Sequence, residues 1–219
     1  MTESPDVVRI SEEVARRVRE RLTDTSPRGK SFVSIGISAR HIHLTREVLE
    51  SLFGKGYRLN RDKDLSQPGE FAAKERVTIV GPSGKAIENV RVLGPTRNFT
   101  QIELSRSDGL RLGIDLPIRR SGDLSGTPGA TVVGPLGTVN LKEGAVSATR
   151  HIHMTPADAE RFGVGDGQIV KARVMGERGL VFDNVLVRVS DRFALDFHLD
   201  TDDANAAGLE NGSLVEIIP

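Results

Sequence analysis

All five histidines of this 219-residue chain fall at matching places in two related stretches of sequence. His41 and His43 form one His-x-His pair and His151 and His153 another, while His198 stands where the first stretch has Glu103. In a β-strand, residues two apart leave the same face about 6.6–6.8 Å apart along it, so each pair can converge on one cation. A third ligand from another strand, Glu103 or His198, completes a three-ligand site with an open position. That count is typical of catalytic rather than structural zinc. A single pair is weak evidence, since paired histidines are commonly surface or hydrogen-bonded core residues. Two matched pairs with matched third ligands point to metal. Imidazole and carboxylate without thiolate suit Zn²⁺ and leave Co²⁺, Ni²⁺, Mn²⁺ and Fe²⁺ open.

Arginines flank these positions. Arg40 and Arg150 directly precede the pairs, and Arg97 and Arg192 each lie six residues before a third ligand. Guanidinium beside a dication suits a phosphate or carboxylate held bidentately. The alternative is that some of them merely orient Glu103, Asp196 or loop carbonyls. An even separation predicts Arg97 on the same strand face as Glu103. Gly81-Pro82-Ser83-Gly84-Lys85 lacks the spacing of a phosphate loop and reads as a hairpin turn, as does Gly134-Pro135-Leu136-Gly137. The glycine-rich run from Ser121 to Gly129 reads as the connection between the two halves.

Short apolar runs punctuated by Gly and Pro must carry these groups. Val77–Val80, Val90–Leu93, Ile169–Val174 and Val185–Val189 predict strands at the spacing of barrels or sandwiches. Two short helices are predicted after Thr45 and after Thr155-Pro156, each with a capping threonine and a stopping glycine. The duplication extends beyond the histidines. SARHIHLTREVLESLFG corresponds to ATRHIHMTPADAERFG, and Asn89-Val90-Arg91-Val92 to Asn184-Val185-Leu186-Val187. Such repeats suggest two similar barrels facing one another. Ahead of them, Val7, Ile10, Val14, Val18 and Leu22 recur at helical spacing opposite a charged face, and Thr23–Lys30 reads as a linker.

Composition removes other functions. Thirty basic and thirty acidic residues cancel, so no global field draws nucleic acid or an anionic membrane. With no cysteine, disulfides, cysteine-zinc sites and a protein thiol nucleophile are excluded. No apolar run approaches the roughly 20 residues of a membrane span, and the expected address is cytoplasmic.

With SARHIH, NVRVLGPTRNFTQIELSRSD, SGDLSGTPG, TRHIHMTP and FHLDTDDAN, the chain resembles the PduL-type phosphate acyltransferases (phosphotransacylases) of bacterial microcompartments, from about Ser31 to Pro219. The resemblance implies a mainly β fold: two pseudo-twofold-related β-barrels capped by short α-helices, plus an N-terminal amphipathic helix. It implies an encapsulation-like helix and linker over 1–30, one barrel from 31–39 plus 148–219, and a second from 40–147 with a two-stranded excursion at about 54–74. It further implies two divalent ions, Zn²⁺ by family likeness, held by His41, His43 and Glu103 and by His151, His153 and His198. Arg97 matches an arginine contacting phosphate, and Ser38, Lys63, Arg91, Leu93, His198 and Asn205 match the coenzyme A pocket. Microcompartment shell or core enzymes, reached through the N-terminal helix, and a homo-oligomer are the implied partners, and the microcompartment lumen the implied location.

The activity so implied is exchange of an acyl group between phosphate and coenzyme A, by direct attack of the coenzyme A thiolate on acyl phosphate held at the metals. A metal-dependent phosphoesterase or amidohydrolase and a non-catalytic assembly component are the rival readings.

Overall fold

The apolar runs become strands throughout the computed structural model, which describes residues 31 to 219; the predicted N-terminal helix and its linker lie outside the described residues. In chain order the elements begin with β1 (Ser31–Ser38), β2 (His41–His43), α1 (Arg46–Phe53), β3 (Arg61–Asp64), β4 (Phe71–Val80) and β5 (Ala86–Gly94). Next come β6 (Gln101–Glu103), α2 (Arg106–Leu112), β7 (Ile118–Arg119), β8 (Thr131–Val133), β9 (Thr138–Asn140) and β10 (Ala145–Ala148). The last are β11 (His151–Met154), α3 (Pro156–Phe162), β12 (Ile169–Val174), β13 (Leu180–Val189), β14 (Asp196–Asp200), α4 (Thr201–Ala207) and β15 (Leu214–Ile218).

Six strands close into a barrel in the order β1-β14-β11-β13-β12-β15. The rest form a curled nine-stranded sheet, a half-barrel that runs β7-β10-β6-β2-β5-β4-β8-β9 with β3 paired to β4. Each has its own apolar core. Phe197, Ile152 and Val187 lie inside the barrel, and Ile42, Leu49 and Ile102 inside the curled sheet, all fully buried. Burying one such side chain contributes about 1.5–3 kcal/mol.

The helices form because their ends are capped. The Thr45 side chain accepts from the Val48 N–H, and α1 buries Leu49, Leu52 and Phe53 before Gly54 ends it. In α3 a capping box joins Thr155 and Asp158. Two helices not predicted, α2 and α4, start at Ser105 and Asp200 and stop at the left-handed glycines Gly113 and Gly208. Both proposed hairpin turns are present: Gly81 N–H donates to Lys85 O between β4 and β5, and Gly134 N–H to Gly137 O between β8 and β9. Ser121 to Gly129 lies between β7 and β8 of one sheet, so it does not join the halves.

The duplication is visible in backbone detail. Asn89 on β5 and Asn184 on β13 take left-handed conformations, φ 60° and 58°. Each sits in a bulge, with Glu88 and Asn89 opposing Thr78 and Asp183 and Asn184 opposing Lys171. The strand before each His-x-His motif also crosses to the other sheet. β1 pairs in parallel with β14, and β10 with β6. Each histidine motif therefore begins where the chain passes from one sheet to the other.

Candidate active site

β2 lies between β5 and β6, and β11 between β13 and β14. The register sets His41 opposite Glu103, and His151 opposite His198. Directly opposed residues share a face of the sheet, so each third ligand projects beside its His-x-His pair. His41 Nε2 is 3.5 Å from Glu103 Oε2 and His43 Nε2 is 3.9 Å from Glu103 Oε1. The rings of His151, His153 and His198 have centroids 4.7–5.1 Å apart. Within each triad the potential ligand atoms all lie within 4.8 Å of one another.

The residues fit a metal in two independent ways. First, His41 Nδ1 meets Ala39 O at 2.8 Å and His151 Nδ1 meets Thr149 O at 2.7 Å. A carbonyl there fixes the tautomer and leaves Nε2 with its lone pair available. Second, the buried atoms His43 Nδ1, His153 Nδ1 and His198 Nε2 have no hydrogen-bond partner. His198 Nε2 stands 3.1 Å from Asp196 Oδ2 without the alignment of a hydrogen bond. Orphaned buried ring nitrogens are costly, and a cation is one agent that satisfies them. The 3.5 Å between His41 and Glu103 is also close to the roughly 3.4 Å separating two ligands of a tetrahedral ion.

Electrostatics separates the triads. Burial opposes the Glu103 charge, but His41, His43 and His151 outweigh it and hold the carboxyl well below its usual range. Burial likewise opposes a proton on His41, yet Glu103 raises its pKa above the ordinary imidazole value. His43 is pushed well down by burial, then by His41 and Arg97. In the other triad burial, then His198, lowers His151 to about 4. Burial, then His151, His198 and Arg188, lowers His153 to about 2. His151 and His153 therefore stay neutral at pH 7, as metal ligands must.

The arginines divide by role. Arg40 Nε lies 3.2 Å from Asp108 Oδ2 on α2, and Arg150 pairs with both oxygens of Asp203 on α4 at 2.6 and 2.8 Å. Those two tie helices to the sheet. Arg97 sits in the turn between β5 and β6 rather than on the strand of Glu103, its backbone N–H donating to Leu44 O. Its guanidinium donates to Glu70 Oε1 at 2.6 Å and to Ser121 Oγ at 3.3 Å. It is near enough to act on His41 and His43. Arg192 is exposed.

Two features of the site went unforeseen. Gln101, fully buried, donates to Glu103 Oε1 at 2.5 Å and to Ser121 Oγ at 3.0 Å, and its Oε1 accepts from the Gly122 N–H. The second is Arg188 on β13, which meets His153. The matched strands read Arg91-x-Leu93 and Leu186-x-Arg188, an exchange of positions that was the available signal.

A small open pocket joins the triads, its wall including Ser38, Glu103, His151 and His198. Of the other expected coenzyme A residues, Leu93 is half-buried and pairs with His43. Arg91 donates to Asp62 Oδ2 and Ala73 O, both at 2.7 Å. Lys63 on β3 and Asn205 on α4 are exposed and lie outside the cavity wall. Among the described residues no helix is long and apolar enough to cross a membrane.

Comparison with known proteins identifies the family. The family model described as phosphate propanoyltransferase matches residues 34–210. Similar curated proteins carry the same name. One from Thermotoga maritima is 58% identical over 85% of this chain and 89% of its own length. One from Clostridioides difficile is 51% identical over 95% of each. One from Listeria monocytogenes is 47% identical over 97% of this chain and 95% of its own. The chain belongs to the phosphate propanoyltransferase family and is an acyltransferase.

Proposed function

We propose that this acyltransferase interconverts acyl-CoA plus phosphate with acyl phosphate plus coenzyme A, at two divalent ions. His41, His43 and Glu103 would hold one ion and His151, His153 and His198 the other, Zn²⁺ being the metal best suited to the donors. The observation that carries the reading is the gathering of every histidine of the chain into two facing triads with buried, unpartnered ring nitrogens. When bound, the ions supply Lewis-acid stabilisation of phosphate charge and lower the pKa of a nearby thiol.

The chain's own residues do the rest. Arg97, steadied by Glu70 and Ser121, offers a guanidinium to the phosphoryl group. Gln101 fixes the Glu103 carboxylate. Ser38, Lys63, Arg91, Leu93, His198 and Asn205 form the coenzyme A pocket in this reading. With no cysteine, a thioester acyl-enzyme is excluded, and direct attack by the coenzyme A sulfur is the simplest route. A carbon–sulfur bond forms at the acyl carbonyl carbon, the carbon–oxygen bond to phosphate breaks, and the thiol proton leaves with phosphate or to solvent. The amphipathic pattern of residues 5–22 supports docking to shell or core enzymes in a microcompartment lumen, and a homo-oligomer belongs to the same proposal.

Thiol release tests it. Incubation with acyl-CoA and phosphate should free coenzyme A, and a chelator or His153→Ala should abolish that release. Phosphate liberated from acetyl phosphate without coenzyme A, at the rate seen with it, would instead mark a hydrolase.

A further inference from the structure

We propose that Arg188 is a second phosphate-binding residue, so that the phosphoryl group is gripped from both sheets, by Arg97 of one and Arg188 of the other; this rests on the acyl-transfer reading above.

β13 sets Arg188 opposite His153 in parallel register. Its Nη1 is 3.4 Å from His153 Nε2, and its Cζ lies 5.4 Å from the centroid of the Phe193 ring. Phe193 itself stacks on His153 at 4.2 Å. Packing thus holds the guanidinium at the edge of the all-histidine triad. A half-buried arginine in a purely structural role normally meets a carboxylate, as Arg150 meets Asp203. Among the described residues Arg188 has no such ion pair. Asp166 attracts it only from beyond ion-pair range, accepting instead from the Val189 N–H at 2.8 Å. Arg97 and Arg120, both in loops of the curled sheet, are near enough to repel it, and Glu103, already held by Gln101, attracts it. Gathered cations with too little negative charge between them are costly unless an anion joins them. The guanidinium fork matches phosphate oxygens in pairs. Contact with His153 places that anion beside the reacting group, away from the exposed Lys63 and Asn205 expected to meet coenzyme A.

The test uses the full-length, metal-loaded protein, with inorganic phosphate as the calorimetric titrant and initial rates against phosphate and acyl-CoA. Arg188→Ala should weaken phosphate binding and raise the phosphate KM by about tenfold or more, leave the acyl-CoA KM within about twofold, and keep metal content. Arg188→Lys, with charge but no fork, should fall between. Phosphate affinity within about twofold of the parent, or a shift confined to acyl-CoA, overturns the proposal. If the alanine variant does not fold, the lysine variant decides: at parental melting temperature and metal content, a phosphate KM raised about threefold supports it and an unchanged one overturns it. A parent that neither binds phosphate nor releases thiol defeats the acyl-transfer reading and this proposal with it. Parental behaviour as expected, with Arg97→Ala impaired and Arg188 variants unimpaired, defeats this proposal alone.

Discussion

The two triads share a backbone and differ in one ligand, and that difference propagates outward. Glu103 gives the first triad a carboxylate charge, and the second has an imidazole, His198, in its place. The partner beneath each third ligand changes with it. The carboxylate of Glu103 is met by the amide donor of Gln101, while the imidazole of His198 has the carboxylate of Asp196 at 3.1 Å. Gln101 and Asp196 occupy equivalent register positions, opposite His43 and His153, and both are buried. A duplicated scaffold thus holds unlike electrostatic environments when ligand and supporter change together.

Removing either third ligand gives the largest effect and tests whether the halves act separately. Glu103→Ala and His198→Ala should each lose one equivalent of metal and at least about 100-fold in kcat/KM, beyond the 10–100-fold typical of an outer supporter. Metal analysis that finds both equivalents gone from either variant breaks the comparison. Changing the supporters should cost less. Gln101→Leu and Asp196→Asn are expected to lower activity about 10–100-fold, with Gln101→Leu also weakening the first metal.

Protons offer a finer distinction. The raised pKa of His41 means that it holds a proton to higher pH than the ring partners of the other triad, so metal entering the first triad competes with that proton more than metal entering the second, where His151 and His153 are lowered to about 4 and 2. Metal titrations near pH 7 in buffers of different ionisation enthalpy should show proton release that His41→Ala removes. In the metal-free protein the lowered histidines work against acid. Unfolded, they take up protons below about pH 6.5; folded, they resist until about 4 and 2, so melting temperature should fall as pH drops from 6.5 toward 4. The smallest effects belong to the matched bulges. Asn89→Ala and Asn184→Ala each force alanine to positive φ and should cost about 1 kcal/mol by chemical denaturation, while glycine at either site should be tolerated.

Much of this was legible in the chain because the signals repeat. Two copies of Arg-His-x-His, each followed by Thr-capped helices and an Asn-Val strand, separate ligand histidines from incidental ones. α2 and α4 escaped because Arg-Ser-Asp-Gly-Leu-Arg-Leu and Thr-Asp-Asp-Ala-Asn-Ala-Ala are too short and polar to show an apolar stripe. Arg97 looked like a strand neighbour of Glu103 because spacing carries no record of a turn between them. Arg188 was hidden because its partners come from the β11–β13 register and from loops distant in sequence.

The traded leading strands imply a history and an order of events. A lone ancestral unit would have had to donate that strand to a twin, so a symmetric dimer is the natural forerunner of the fused chain. In the present protein β1 waits for β14 and β15, strands far along the chain from it, which makes the barrel a late structure. The chain must then be made through β15 before the barrel around the second set of imidazoles can close, and loss of β15 should be as damaging as loss of β1.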